Sequence, residues 1–173
     1  LIKSTPSLKK KKIISEVEFA SRYTNAFIIA VTGTNGKTTT SKLIYHILKN
    51  SGFNVGLAGN IGYSFSESIV ENQFDYYVLE VSSFQLDHII NFRPDISIIT
   101  NISPDHLDRY DNKFENYAEA KFNIIRNQKS SDFFIYNGDC AITTNKINSI
   151  NSKASTISLH SRKNKNQQNN YLI

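Results

Sequence analysis

Methionine is missing from all 173 residues, position 1 included, and cysteine occurs once, as Cys140. Translation begins with methionine, so the sequence reads as an internal segment of a longer protein. A single thiol excludes an intrachain disulfide framework and any zinc site built on several cysteines, and the expected setting is a reducing cytoplasm. Long apolar runs are missing too. None nears the roughly 20 residues that cross a bilayer and no basic-then-apolar leader is legible, so no membrane partner is expected. What is present, 39% hydrophobic and 12% aromatic residues, suffices for one sizeable core and excludes a wholly disordered chain.

The net charge of +5 sits largely in Lys9–Lys12 and in Arg162–Lys165. Neither run interleaves aromatics that could stack bases, so solvated surface or linker is expected and a nucleic-acid partner is not. Leu1 to Asn25 mix Pro6, the lysine run and a short amphipathic stretch, Ile13–Phe19, and read as a linker or the edge of a preceding domain.

From Ala26 the pattern becomes regular. Phe27–Val31 is a buried-strand run, followed by Gly33-Thr34-Asn35-Gly36 and a helix with Leu43, Ile44, Ile47 and Leu48 on one face, closed by Gly52. Further strands are expected at 54–57, 75–80, 95–100 and 133–136, with a sixth at 156–159. Helices are expected to Val70, to about Ile90 and over Phe114–Asn127, and 161–170 as a polar, asparagine-rich loop. Strands alternating with helices imply an α/β fold, a mostly parallel sheet with helices on both faces. Gly33–Lys37, Gly59–Gly62, Glu80–Gln85 and Asn101–Asp108 each follow the carboxyl end of a strand. In an open α/β sheet those ends share one rim, so these segments should line one cleft.

Gly33-Thr34-Asn35-Gly36-Lys37-Thr38-Thr39 lies between strand and helix, where a phosphate loop belongs. Its glycines let the backbone curl so that N–H groups face inward, and the helix N-terminus adds positive potential. Lys37 would reach the β- and γ-phosphates and the Thr38 hydroxyl would ligate Mg²⁺. The general pattern puts an earlier glycine where this chain has Val31. A glycine-rich turn with a solvated lysine is the plainer alternative. Glu80 ends an apolar strand, where a carboxylate must be solvated, paired or metal-bound; beside a phosphate loop, Mg²⁺ is favoured. His106 lies in the turn Pro104-Asp105-His106 and is a better candidate than His46, His88 or His160. Asp105 and Asp108 could cap that loop. By pattern alone Lys121 is a surface lysine paired with Glu115 or Glu119, and Cys140 a small packing residue.

The loop Gly33–Thr39 resembles the nucleotide loop of the Mur ligases and their folylpolyglutamate synthase relatives, whose glycines are spaced as here. Gly59-Asn60-Ile61-Gly62, Leu79–Leu86 and Asn101–Tyr110 are similar to the D-glutamate-adding branch. The resemblance implies an ATP-dependent carboxylate–amine ligase of peptidoglycan precursor synthesis, with UDP-N-acetylmuramoyl-L-alanine and D-glutamate as substrates, ATP and two Mg²⁺ ions as cofactors, and a monomer. It implies that Gly33, Thr34, Asn35, Gly36, Lys37, Thr38 and Thr39 bind nucleotide, and that Asn60 and Ser82 contact substrate. Thr38, Glu80, His106 and Lys121, the last as a carbamate, would hold metal, making Lys37, His106 and Lys121 the catalytic set. On this resemblance residues 1–25 end a preceding UDP-binding domain, 26–173 form an incomplete central ATP-binding domain, and a C-terminal domain is absent. The segment alone would bind nucleotide weakly and not ligate. Another Mur ligase, a folylpolyglutamate synthase-like ligase or a non-catalytic nucleotide-binding module are the alternatives.

Overall fold

Short runs of β-branched and aromatic residues alternate with helices and assemble side by side into one sheet. The structure, a computed structural model, describes residues 13–150, 152–161 and 171–172. Both basic runs, Lys9–Lys12 and Arg162–Lys165, and most of the expected tail loop lie outside the described residues. The strands are β1 (Phe27–Thr32), β2 (Val55–Gly59), β3 (Tyr76–Glu80), β4 (Ile96–Ile99), β5 (Phe133–Asn137), β6 (Ser155–His160) and β7 (Tyr171–Leu172). The helices are α1 (Glu16–Ala20), α2 (Lys37–Asn50), α3 (Phe65–Glu71), α4 (Ser83–Leu86), α5 (Phe114–Phe122) and α6 (Ala141–Ser149).

The sheet order is β2-β3-β1-β4-β5-β6-β7, and every ladder is parallel. The expected strands and the α/β class are therefore present. Register sets Val31 opposite both Glu80 and Ile98, and Gly59 opposite Glu80. The carboxyl ends of β1 to β4 thus finish level, on one rim.

Alternation along the strands divides the apolar residues between two faces. Ile28, Ala30, Tyr77, Leu79, Ile99 and Phe134 join the larger cluster, with residues of α1, α3, α4, α5 and α6. Ile29, Val78 and Val55 face the other way, against Ile44, Tyr45 and Leu48 of α2. Helices therefore do cover both faces, unequally. Of the four residues expected on the apolar stripe of α2, only Ile44 and Leu48 pack; Leu43 and Ile47 are 56% and 54% exposed. The helix packs over β1 to β3, and Leu43 lines an open cavity together with Ile98, Thr100 and Ile135.

The helix after β3 is shorter than expected, Ser83–Leu86, and α5 gives way at Asn123 to a 3₁₀ turn, Asn123–Ile125. Helix α6 was not legible: its Asn- and Thr-rich sequence carries a weak apolar period, and only Thr143 and Ile147 are buried. Helix α1 packs into the larger cluster through Val17 and Ala20. Its Glu18 is fully buried, accepting N–H donors from Ile90, Asn91 and Phe92 at 2.9, 2.9 and 2.7 Å and the Arg22 guanidinium at 2.9 Å. Burial alone pushes the Glu18 carboxyl up, but these donors outweigh it and hold the group below the usual glutamate range. One buried carboxylate thereby ties α1 to the loop that follows α4.

Candidate active site

The loop between β1 and α2 is shaped by two left-handed glycines, Gly33 (φ 145°) and Gly36 (φ 81°). A side chain on Gly33 would meet Thr100 Oγ1 at 1.9 Å, so the loop lies directly against the end of β4. Gly36 is the N-cap of α2, whose first-turn N–H groups lack helical partners and are free for an anion. Lys37 Nζ donates to the Gly33 and Thr34 carbonyls at 3.0 and 2.9 Å, folding back over the loop. Thr38 and Thr39 are exposed in the first turn of α2.

Glu80, at the end of β3, is 2% exposed. Its two carboxylate oxygens accept from Thr38 Oγ1 at 2.7 Å and from Asn60 Nδ2 at 3.0 Å. Asn60 N–H also donates to the Glu80 carbonyl at 2.8 Å. Segments from three separate strands thus meet at one buried carboxylate beside the phosphate loop. A carboxylate and a hydroxyl in contact are hard oxygen donors suited to Mg²⁺, which takes its remaining ligands from phosphate and water.

Lys121, expected on the surface, is 2% exposed. Neither Glu115 nor Glu119 pairs with it; Glu119 instead meets Lys146. Lys121 Nζ donates to the Gly33 carbonyl at 2.8 Å and stands 4.6 Å from the Tyr117 ring centre. Burial, then the neighbouring Lys37 ammonium, lower its pKa to about 7, while Asp105 opposes them. Two lysine amines therefore share one carbonyl, and a large fraction of Lys121 is neutral near pH 7. Tyr117 was missed by sequence reading, although its place four residues before Lys121 puts both on one helix face. Its hydroxyl lies 3.1 Å from Thr34 Oγ1, which in turn bonds both the carbonyl and the N–H of Ser103.

His106 is on the same rim, in a left-handed backbone conformation (φ 49°) after β4. Its N–H donates to Asp105 Oδ1 at 2.9 Å, and its ring rests 5.4 Å from that of Phe84 in α4. Phe84 also stacks on Tyr110 and carries the Arg109 guanidinium 5.2 Å above its ring. This aromatic platform, also missed, joins the end of β3 to the His106 turn. Ser82 caps α4: its hydroxyl accepts Gln85 N–H at 3.3 Å, and Gln85 Oε1 accepts Ser82 N–H at 2.9 Å. Among the described residues no three His, Cys, Asp or Glu side chains gather into a metal cluster. As they stand, His106 and the donor Lys121 do not fit a divalent cation; an anionic Lys121 would. Cys140 is the N-cap of α6, half-buried, with Sγ 3.9 Å from the Ile102 carbonyl.

A parallel α/β sheet with a glycine-bent loop, a lysine and a threonine–glutamate pair at its carboxyl rim defines an α/β domain of the phosphate-loop fold class. Residues 31–172 match the Mur ligase middle domain, and the chain belongs to that family. It is 58% identical over 135 residues to the UDP-N-acetylmuramoylalanine–D-glutamate ligase of Bacteroides fragilis, covering 78% of this chain and 30% of that protein. The like-named protein of Christiangramia forsetii is 52% identical over 134 residues, 76% of this chain and 30% of that one. The chain thus spans about a third of the length of the curated relatives it matches. Among solved structures, a MurF ligase from Thermotoga maritima in complex with ADP superposes with a TM-score of 0.69 at 24% identity, over 84% of this chain and 36% of that one. E. coli FolC in complex with DHPP and ADP gives 0.60 at 20% identity, over 87% and 48%. At these identities the likeness is one of fold.

Proposed function

We propose that this chain is the central ATP-binding part of a cytoplasmic ligase that joins D-glutamate to UDP-N-acetylmuramoyl-L-alanine in peptidoglycan precursor synthesis. The observation that carries the reading is the Thr38–Glu80–Asn60 junction beside the phosphate loop, with the names of the relatives at 50–58% identity in support. In the reaction a carboxylate oxygen of the acceptor attacks the γ-phosphorus of ATP, giving an acyl phosphate and ADP. The D-glutamate amine then attacks the acyl carbon, loses a proton, and phosphate leaves as the amide forms.

Bringing two anions together makes charge neutralisation and alignment the main tasks. Lys37 would exchange the Gly33 and Thr34 carbonyls for phosphate oxygens, and the N–H groups at the start of α2 would hold the phosphate chain. Thr38 and Glu80 would hold one Mg²⁺, and His106 with a carbamylated Lys121 a second; bound there, the ions neutralise phosphate charge. Carbamate formation joins the neutral Lys121 amine to CO₂ and releases a proton, which suits an amine with a pKa of about 7. Asn60 would orient substrate while it steadies Glu80. Ser82 would contact substrate only by sharing a hydroxyl already engaged in its helix cap. We place residues 1–25 at the end of a preceding domain and 26–173 in the central one, and assign a monomer.

The test is ADP release by a longer polypeptide carrying this sequence, given UDP-N-acetylmuramoyl-L-alanine and D-glutamate. Release that depends on both substrates and is lost in Lys37→Ala supports the reading. Equal release with other amino acids in place of D-glutamate would overturn the specificity.

A further inference from the structure

Thr100 and Asn101 follow β4 in the segment Asn101–Asp108, and no catalytic or binding task falls to them above. Their geometry is complete in an unusual way. Asn101 Oδ1 accepts the Asn35 N–H at 3.0 Å, and Asn101 Nδ2 donates to the Asn35 carbonyl, also at 3.0 Å. Thr100 Oγ1 donates to that same carbonyl at 2.6 Å, and the Asn101 carbonyl accepts the Thr34 N–H at 2.9 Å. Backbone N–H and C=O have fixed roles, so they dictate which way the carboxamide points.

The peptide between Asn35 and Gly36 needs such a brace. Gly36 sits at φ 81°, and glycine populates both signs of φ at little cost, so the loop's own sequence does not decide which way this peptide faces. The bond is trans, and in a trans peptide C=O and N–H point in opposite directions. Holding the Asn35 carbonyl against the end of β4 therefore turns the Gly36 N–H away from β4, to the open side of the loop. The reversed peptide would aim a carbonyl at the place where a phosphate is to sit, replacing attraction by repulsion.

We propose that Asn101, assisted by Thr100, is a positioning residue of the phosphate loop. It locks the Asn35–Gly36 peptide so that a donor, and not an acceptor, faces the phosphates of a bound nucleotide. This rests on the nucleotide reading above, and its partner is the phosphate chain itself.

The test pairs calorimetry of ADP on this chain with substrate kinetics of the longer ligase, for wild type, Asn101→Ala, Thr100→Val and Lys37→Ala. Asn101→Ala should weaken ADP binding and raise KM for ATP by about tenfold each. KM for D-glutamate and the melting temperature without ligand should hold. Thr100→Val, which removes one hydroxyl and little volume, should move the same two quantities in the same direction by about threefold. Unchanged ADP affinity in Asn101→Ala, with Lys37→Ala impaired, overturns the inference and leaves the nucleotide site standing. A parallel rise in both KM values, or a fall in melting temperature that accounts for the lost affinity, also overturns it. Absence of ADP binding by wild type, or full activity in Lys37→Ala, instead overturns the nucleotide reading, and this inference with it.

Discussion

The two faces of the sheet are built to different standards. One buries Leu79, Phe134, Tyr77 and Ile99 beneath α1, α3, α4, α5 and α6, with relative exposures of 1% or less. On the other, α2 is the one helix among the described residues that packs, through Ile44, Tyr45 and Leu48, while Leu43 and Ile47 stay more than half exposed. Folding free energy should therefore be concentrated on the first face. The second face is thinly covered but carries, at the rim, the helix whose N-terminus we propose as the anion site. The contrast teaches that the phosphate loop is held less by the helix behind it than by polar stitches from β3 and β4 at its sides.

The largest effect expected from a break in this arrangement is on chemistry. Lys37→Ala in the longer ligase should lower ADP release by roughly two to three orders of magnitude while leaving the melting curve of the fold nearly unmoved. Truncation on the packed face should do the reverse. Leu79→Ala should cost about 3 kcal/mol in urea unfolding. Leu43→Ala on the α2 face should stay within about 0.5 kcal/mol. Equal costs at the two leucines would erase the distinction.

Glu18 sharpens it further, because the packed face relies on a buried charge as well as on apolar area. Glu18→Gln, which replaces an acceptor for three N–H groups and Arg22, should cost about 2 kcal/mol near neutral pH. The folded carboxyl is held below the unfolded value, so its contribution is fully present above about 4.3 and fades as pH falls through the folded value. The gap between wild type and Glu18→Gln should close in acid.

At Lys121 the expected effect depends on pH. Its folded pKa of about 7 lies below the unfolded value of about 10.4, so the folded state holds fewer protons between the two. Wild type should gain stability relative to Lys121→Met as pH rises across that window, in CO₂-free buffer. A flat difference would mean that the amine stays charged. With bicarbonate present, mass spectrometry should find one added CO₂ on wild type and none on Lys121→Met.

Much of the fold could be read from residue order, and the reasons are local. Phe27–Val31, Asp75–Glu80 and Asp95–Thr100 are apolar runs bounded by turn residues, and each is a strand to within a residue or so. Helix α6 escaped because its threonines and asparagines carry no clear period. Leu43 and Ile47 misled because apolar spacing states which residues can share a face, not whether anything covers it. At the site, the glycine loop and Glu80 stood out by their place at strand ends, whereas Asn60 was singled out only by the family resemblance. The burial of Lys121 was not, since an ammonium is ordinarily solvated and only tertiary packing against Tyr117 and Gly33 reverses that. The Phe84 platform and the Asn101 brace depend on contacts 22 and 66 residues apart in the chain, which no local pattern encodes.

Position 33 faces a double bind. Any Cβ there would overlap the Thr100 hydroxyl oxygen at 1.9 Å, and the φ of 145° independently disfavours every residue but glycine. Shortening Thr100 to alanine would remove that overlap yet leave the Asn101 backbone O and N at 3.1 and 3.2 Å, keep the dihedral demand and remove a donor to Asn35. No compensating pair of changes at these two positions satisfies both constraints. In a saturation library selected for growth, codon 33 should return glycine alone, whatever is permitted at 100.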